Sequence, residues 1–190
     1  MGRDKASLPF GLPGETMLLH VVRALAGVVS EIVVVARKDQ ELPDLARGIG
    51  GATLRRADDE IEGRGPLGGL VPGLRTLSAD VAFASSCDAP FLSRAFVECM
   101  FGALGAAEVA MPEAGGFLHP LAAVYRRTTL PHLEVLLSGD RLRPVHLLDR
   151  VAHVKVPEST LRAVDPTLAS LDNVNTPEAY AAALAAYSMR

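Results

Sequence analysis

Apolar residues recur along this chain in two rhythms. In TMLLHVVRALAGVVS, Leu18, Val21, Val22 and Leu25 fall on one helical face, with Thr16 placed to cap the helix and Gly27 to stop it. In EIVVVA (31–36) the apolar run is unbroken and β-branched, which predicts a strand covered on both faces by other layers. GATLRRA (51–57) predicts a weaker strand, and VAFASS (81–86) a second buried one that runs straight into CDAP. GPLGGLVPGLRTL (65–77) reads as a helix with Pro66 near its first turn. Pro72 inside it predicts a kink or a late start.

The second half repeats the alternation. SRAFVECMFGAL (93–104) is an amphipathic helix, and EVAMPE and HPLAAVYR are strands joined by AGGF, a hairpin signal. TTLPHLEVLLSG and RPVHLLDRV read as helical, AHVKVP as a late strand, and TPEAYAAALAAYSM as a closing helix with Thr176 as cap and Pro177 in its first turn. Strands that alternate with helices predict an α/β fold: a three-layer sandwich around a mixed, mostly parallel sheet. Ligands of such sheets bind beyond the carboxyl ends of the strands. The site is therefore expected in the opening loop, from Asp58 onward, in CDAP and before the last helix.

Composition narrows the picture. The 190 residues are 49% hydrophobic and 22% charged, which suits one globular domain spanning 1–190. The net charge is −3 and no dense Lys/Arg run occurs, so nucleic acid is not an expected partner. Cys87 and Cys99 are the only cysteines, which implies no disulfide framework and fits a reducing cytoplasm. Charges, Gly or Pro interrupt every apolar run before membrane-spanning length, so no membrane role is expected.

Candidate chemistry lies in five short segments. Asp88 in SSCDAP ends a buried strand, where a carboxylate suits a Mg²⁺–phosphate complex; it could equally cap the helix that follows. Gly65, Pro66, Leu67 and Gly68 in EGRGPLGGL allow a backbone to approach a ligand, or form an ordinary glycine-rich turn. The segment matches neither the dinucleotide-binding nor the Walker pattern. Asn173 and Asn175 flank Val174 and share one side of an extended segment, as site residues or as loop and cap. His119 before Pro120 is a site residue or a structural one. Arg141 binds a phosphate or belongs to a solvated helix start.

Taken in order, MGRDK, GPLGGL, SCDAP, HPL and LDNVNTPE resemble the MobA-type nucleotidyltransferases of molybdenum cofactor biosynthesis, from residue 1 to about residue 182. The resemblance implies a nucleotide-diphospho-sugar-transferase-like, Rossmann-like fold. It implies transfer of GMP from GTP to molybdopterin-bound molybdenum, with release of pyrophosphate and with Mg²⁺ (or Mn²⁺) as cofactor. Lys5 resembles the lysine that neutralises the triphosphate, Asp88 the acid that holds the metal, and Asp58 the acid that reads guanine. Gly65–Gly69 resemble the loop beneath the nucleotide. His119, Arg141, Asn173 and Asn175 resemble residues near the pterin substrate and the metal. Molybdoenzymes or their chaperones are implied as further partners. A CTP-dependent cytidylyltransferase and a non-catalytic cofactor carrier or adaptor are the alternative readings.

In the family, a strand and a glycine loop of the form L-A-G-G-x-S-x-R precede the methionine that Met1 matches, and Gly2 and Asp4 match the loop's end. The expectation is that this sequence starts late or is degenerate there. Two neighbouring strands should then face an unfilled slot.

Overall fold

A computed structural model of the protein describes residues 5–59 and 63–188. Met1, Gly2 and Asp4 of the opening motif lie outside the described residues. Helix α1 (Met17–Ala26) forms as the pattern predicts. The Thr16 side chain accepts from the Leu19 N–H, and Gly27 follows the last turn. Strand β1 (Glu31–Arg37) pairs in parallel with β2 (Thr53–Asp59), in a register that sets Ala36 opposite Asp58. Helix α2 (Gly65–Thr76) runs in one piece through Pro72. The helix starts at Gly65, so the late start is not seen, and inside it Pro72 forgoes one hydrogen bond.

Strand β3 spans only Val81–Phe83, shorter than the apolar run suggests. Its partner is β6 (Val124–Arg126), which pairs antiparallel with β3 and also with β4 (Val109–Ala114). Strand β4 turns into β5 (Phe117–Leu118) through Gly115 and Gly116, whose φ values of 58° and 79° suit a primed two-residue hairpin turn. The predicted strand HPLAAVYR is broken by a 3₁₀ turn at Pro120–Ala122 before β6 begins, because Pro120 cannot donate to a ladder. Strand β7 (His153–Pro157) runs parallel along β4. The α/β class holds, while among the described residues three of the five strand pairings are antiparallel, so the sheets are more mixed than the simple alternation suggests.

Two apolar layers sandwich the larger sheet. Helix α3 (Arg94–Ala103) sends Phe96, Val97 and Met100 against Ala110, Val124 and Val156. On the opposite face, α2 and α4 (Leu130–Ser138) send Leu67, Leu70, Leu133 and Leu136 against Val109, Met111 and Tyr125. The period of two along β4 and β6 accounts for this division. Tyr125 is fully buried and donates from its hydroxyl to the Pro120 carbonyl at 2.8 Å; burial pushes its phenol well above the ordinary range. The segment 143–151 forms a 3₁₀ helix (Pro144–Asp149) rather than an α-helix. A five-residue helix, α5 (Glu158–Arg162), has no counterpart in the sequence reading. Its length hides any period, and an Arg162–Glu158 pair and the Gly115 N–H on Glu158 hold it.

The chain ends in α6 (Pro177–Ser188), capped by Thr176, whose hydroxyl accepts from the Ala179 N–H at 3.1 Å. This helix joins the first described residues: Leu8, Phe10, Met17, Val174 and Ala183 form one cluster, and the rings of Phe10 and Tyr187 lie 5.3 Å apart.

β1 and β3 do not pair. β1 is bonded only to β2, and β3 only to β6, among the described residues. Between them lies a cavity of about 760 Å³, lined by Val33, Val34 and Val35 on one side and by Val81, Ala82 and Phe83 on the other. The expected slot is therefore present. It explains why the β1 valines and all of β3 are only half-buried despite their apolar run.

Candidate active site

Lys5, Asp88 and Asn175, scattered over the sequence, meet at one point. Lys5 Nζ donates to Asp88 Oδ2 at 2.9 Å and to Asn175 Oδ1 at 2.6 Å. The second oxygen of Asp88 accepts from the Ser86 hydroxyl. Asp88 is 7% exposed, so its charge rests on these partners rather than on bulk water. Local geometry explains the meeting. The segment after β3 ends at Asp88, whose carbonyl accepts from the Val174 N–H at 2.8 Å, tying the asparagine segment to the aspartate loop. Val174 is buried and Asn175 turns to the other side, toward Lys5.

Asp88 is not the cap of α3. That place belongs to Ser93, whose hydroxyl accepts from the Phe96 N–H at 3.2 Å and which is itself braced by buried Ser170. The capping alternative for Asp88 thus gives way to a carboxylate that follows directly on Ser86 and Cys87, two residues of the cavity wall.

The glycine segment borders the same cavity through Gly65, Pro66 and Gly69. Gly65 takes φ +56°, and no side chain caps the start of α2. At Gly68 a Cβ would come within 3.2 Å of both the Arg64 side chain and Asp59 Oδ1, so glycine there permits the strand end to close on the helix. Leu67 is fully buried and anchors the segment into the core.

Asp58 is placed differently. Its carboxylate accepts from Arg56 Nε at 3.2 Å and is about half exposed. Arg56 in turn braces the carbonyls of Arg37, Lys38 and Gln40. Asp59, one position on and on the opposite face of β2, is the member of this acid pair that lines the cavity, with its carboxylate near Gly68.

His119 and Asn173 share a second, smaller cavity of about 220 Å³ with Pro66 and Leu121. A ring nitrogen of His119, Nε2, lies 3.3 Å from the Ala114 carbonyl. Arg141 lines neither cavity; it reaches Asp149 at 3.8 Å, and both side chains are largely exposed. Ser86 and Asp59 escaped the sequence reading. Ser86 carried a weak signal, two residues before Asp88 in an extended segment, whereas nothing local distinguishes Asp59 from Asp58.

A family model described as the MobA-like NTP transferase domain matches residues 1–155. The chain belongs to this family. Within it, a molybdenum cofactor guanylyltransferase from Desulfosudis oleivorans is 32% identical over 168 residues, 88% of this chain and 80% of that protein. The MobA-like fold recurs in the crystal structure of molybdopterin-guanine dinucleotide biosynthesis protein A from Archaeoglobus fulgidus, with TM-score 0.77 and 22% identity over 100% of this chain and 93% of that one. A Mycobacterium tuberculosis protein solved in complex with manganese has the same fold, with TM-score 0.64 and 16% identity over 97% of this chain and 93% of that one. This chain is thus a MobA-like nucleotidyltransferase. No helix among the described residues is long and apolar enough to cross a membrane.

Proposed function

We propose that this chain transfers GMP from GTP to the terminal phosphate of molybdopterin carrying molybdenum. An oxygen of the pterin phosphate forms a bond to the α-phosphorus while the bond to the β-phosphate bridging oxygen breaks, and pyrophosphate leaves. The observation that carries this reading is the convergence of Lys5, Asp88 and Asn175 at the carboxyl end of β3. A phosphate nucleophile is already ionised near neutral pH, so the reaction needs positioning and charge neutralisation more than a general base.

The donor set suits a hard cation. Asp88 and Asn175 offer oxygens only, as Mg²⁺ and Mn²⁺ prefer, and such ions share the remaining positions with water and substrate phosphates. Manganese in the M. tuberculosis structure supports the same class of ion here. A divalent ion held by Asp88 would neutralise charge that develops on the triphosphate.

Lys5 serves the triphosphate as a point charge on a flexible stem. The uncapped start of α2 and Gly65–Gly69 form the nucleotide side of the site. Asp58 is assigned to guanine recognition through the family resemblance, with Asp59 beside it facing the cavity. His119 and Asn173 form the pterin side through their shared cavity, and Arg141, which lines neither cavity, is assigned to a pterin phosphate through the family resemblance alone. Delivery to molybdoenzymes or their chaperones completes the reading.

The test is transfer of label from α-labelled GTP to molybdenum-loaded molybdopterin with Mg²⁺. Formation of the guanine dinucleotide with pyrophosphate is expected. A product formed from CTP in preference to GTP would overturn the guanylyl assignment.

A further inference from the structure

Both oxygen donors assigned to the metal are already engaged by a cation of the chain itself. The Lys5 ammonium lies 2.9 Å from Asp88 Oδ2 and 2.6 Å from Asn175 Oδ1, two oxygens that would hold a divalent ion. The remaining Asp88 oxygen is committed to Ser86. An ammonium and a divalent ion repel one another and compete for the same lone pairs. Only one of them can sit between Asp88 and Asn175.

We propose that Lys5 is a tethered counter-ion which holds the metal position closed until a nucleoside triphosphate arrives. The inference rests on Asp88 and Asn175 being metal donors. Lys5 stands at the start of a short 3₁₀ turn, and its side chain is about one-third exposed, so the ammonium can swing outward. What draws it away is the polyanion: the phosphates take the ammonium, and Asp88 and Asn175 are released to a divalent ion that enters with the nucleotide. One lysine thus has two stations, and metal binding is coupled to nucleotide binding. Without nucleotide, Asp88 keeps a neutralising partner in its buried position.

The experiment titrates Mn²⁺ alone into the full chain and follows the free-ion signal by electron paramagnetic resonance. Wild type should bind Mn²⁺ weakly without nucleotide. Lys5→Met should bind it about tenfold more tightly, a coupling of ordinary size, and adding Asp88→Asn should erase that gain. Lys5→Gln keeps a donor to Asp88 while removing the charge, so it carries the same expectation if the Met variant folds poorly. Lys5→Arg, which retains the cation, should resemble wild type. In the presence of GTP, with Mn²⁺ and GTP without protein as the reference, the order should invert, with wild type binding Mn²⁺ more tightly than either neutral variant. Unchanged or weaker nucleotide-free Mn²⁺ binding in both neutral variants would overturn the counter-ion role while leaving the metal assignment in place, provided wild type binds Mn²⁺ with GTP. Failure of wild type to bind Mn²⁺ even with GTP would overturn the metal assignment and the counter-ion role together.

Discussion

Asp88 bears the most weight of any residue in the proposed site. Asp88→Asn keeps the shape and an acceptor for the Ser86 hydroxyl but removes the charge opposite Lys5. Nucleotidyl transfer should fall by more than a hundredfold, about 3 kcal/mol of transition-state stabilisation, while far-ultraviolet circular dichroism stays native; near-normal turnover would show that Asp88 does not hold the metal. The two neighbouring acids on β2 make a second test. If the base is read by the carboxylate assigned through the resemblance, Asp58→Asn weakens GTP by about 1–3 kcal/mol relative to CTP. If the carboxylate facing the cavity reads it, Asp59→Asn does so instead, and competition binding with the two nucleotides separates them. At this scale Lys5, Asp88 and Asn175, which the structure brings together, were singled out in the sequence through the family resemblance, since each alone reads as well as a loop or cap residue. The sequence was not informative where two like residues adjoin, because the choice between Asp58 and Asp59 depends on which face of β2 meets α2, a tertiary fact.

The elements followed local signals closely where caps and apolar faces agreed: Thr16 and Gly27 bound α1, Ser93 starts α3, and Thr176 starts α6. They departed from the reading where long-range pairing decides. Strand β3 stops at Phe83, where among the described residues only one neighbour offers it a ladder, and α2 runs from Gly65 through Pro72 without a late start. Ser93→Ala should destabilise the protein by about 0.5–2 kcal/mol, the usual worth of such a cap, read as a lower midpoint in urea. Because Ser93, not Asp88, caps α3, Mn²⁺ affinity with GTP should be unchanged in this variant. A matching loss of metal affinity would mean that the cap and the metal site are one unit.

For the whole molecule, the layered α/β order was legible from alternation alone, whereas the gap between β1 and β3 followed only from the family resemblance. Periodicity reports which face of a strand is apolar, not whether its backbone edge finds a partner. The cavity between those edges is apolar, and each buried Val or Ile side chain is worth about 1.5–3 kcal/mol, against about 1–2 kcal/mol per residue of backbone ordering. An extended Val/Ile-rich segment fused ahead of Met1 should therefore raise the melting temperature, by about 2–4 °C for each kcal/mol of net gain; a fusion with alternating charged residues should not, and equal melting points for the two would show that the slot does not accept a strand. The junction of Lys5 with Asn175 has a different consequence. It joins residues 170 positions apart, and the neighbouring Val174–Asp88 bond closes a second long loop. Contacts of such high sequence separation bear the full entropy of loop closure and tend to form late. During refolding, helical circular dichroism should recover before the capacity to bind Mn²⁺ with GTP. In native-state hydrogen exchange, the Val174 amide should open at lower free energy than the amides of β4, so that the chain spends part of its time with an intact core and a dismantled centre.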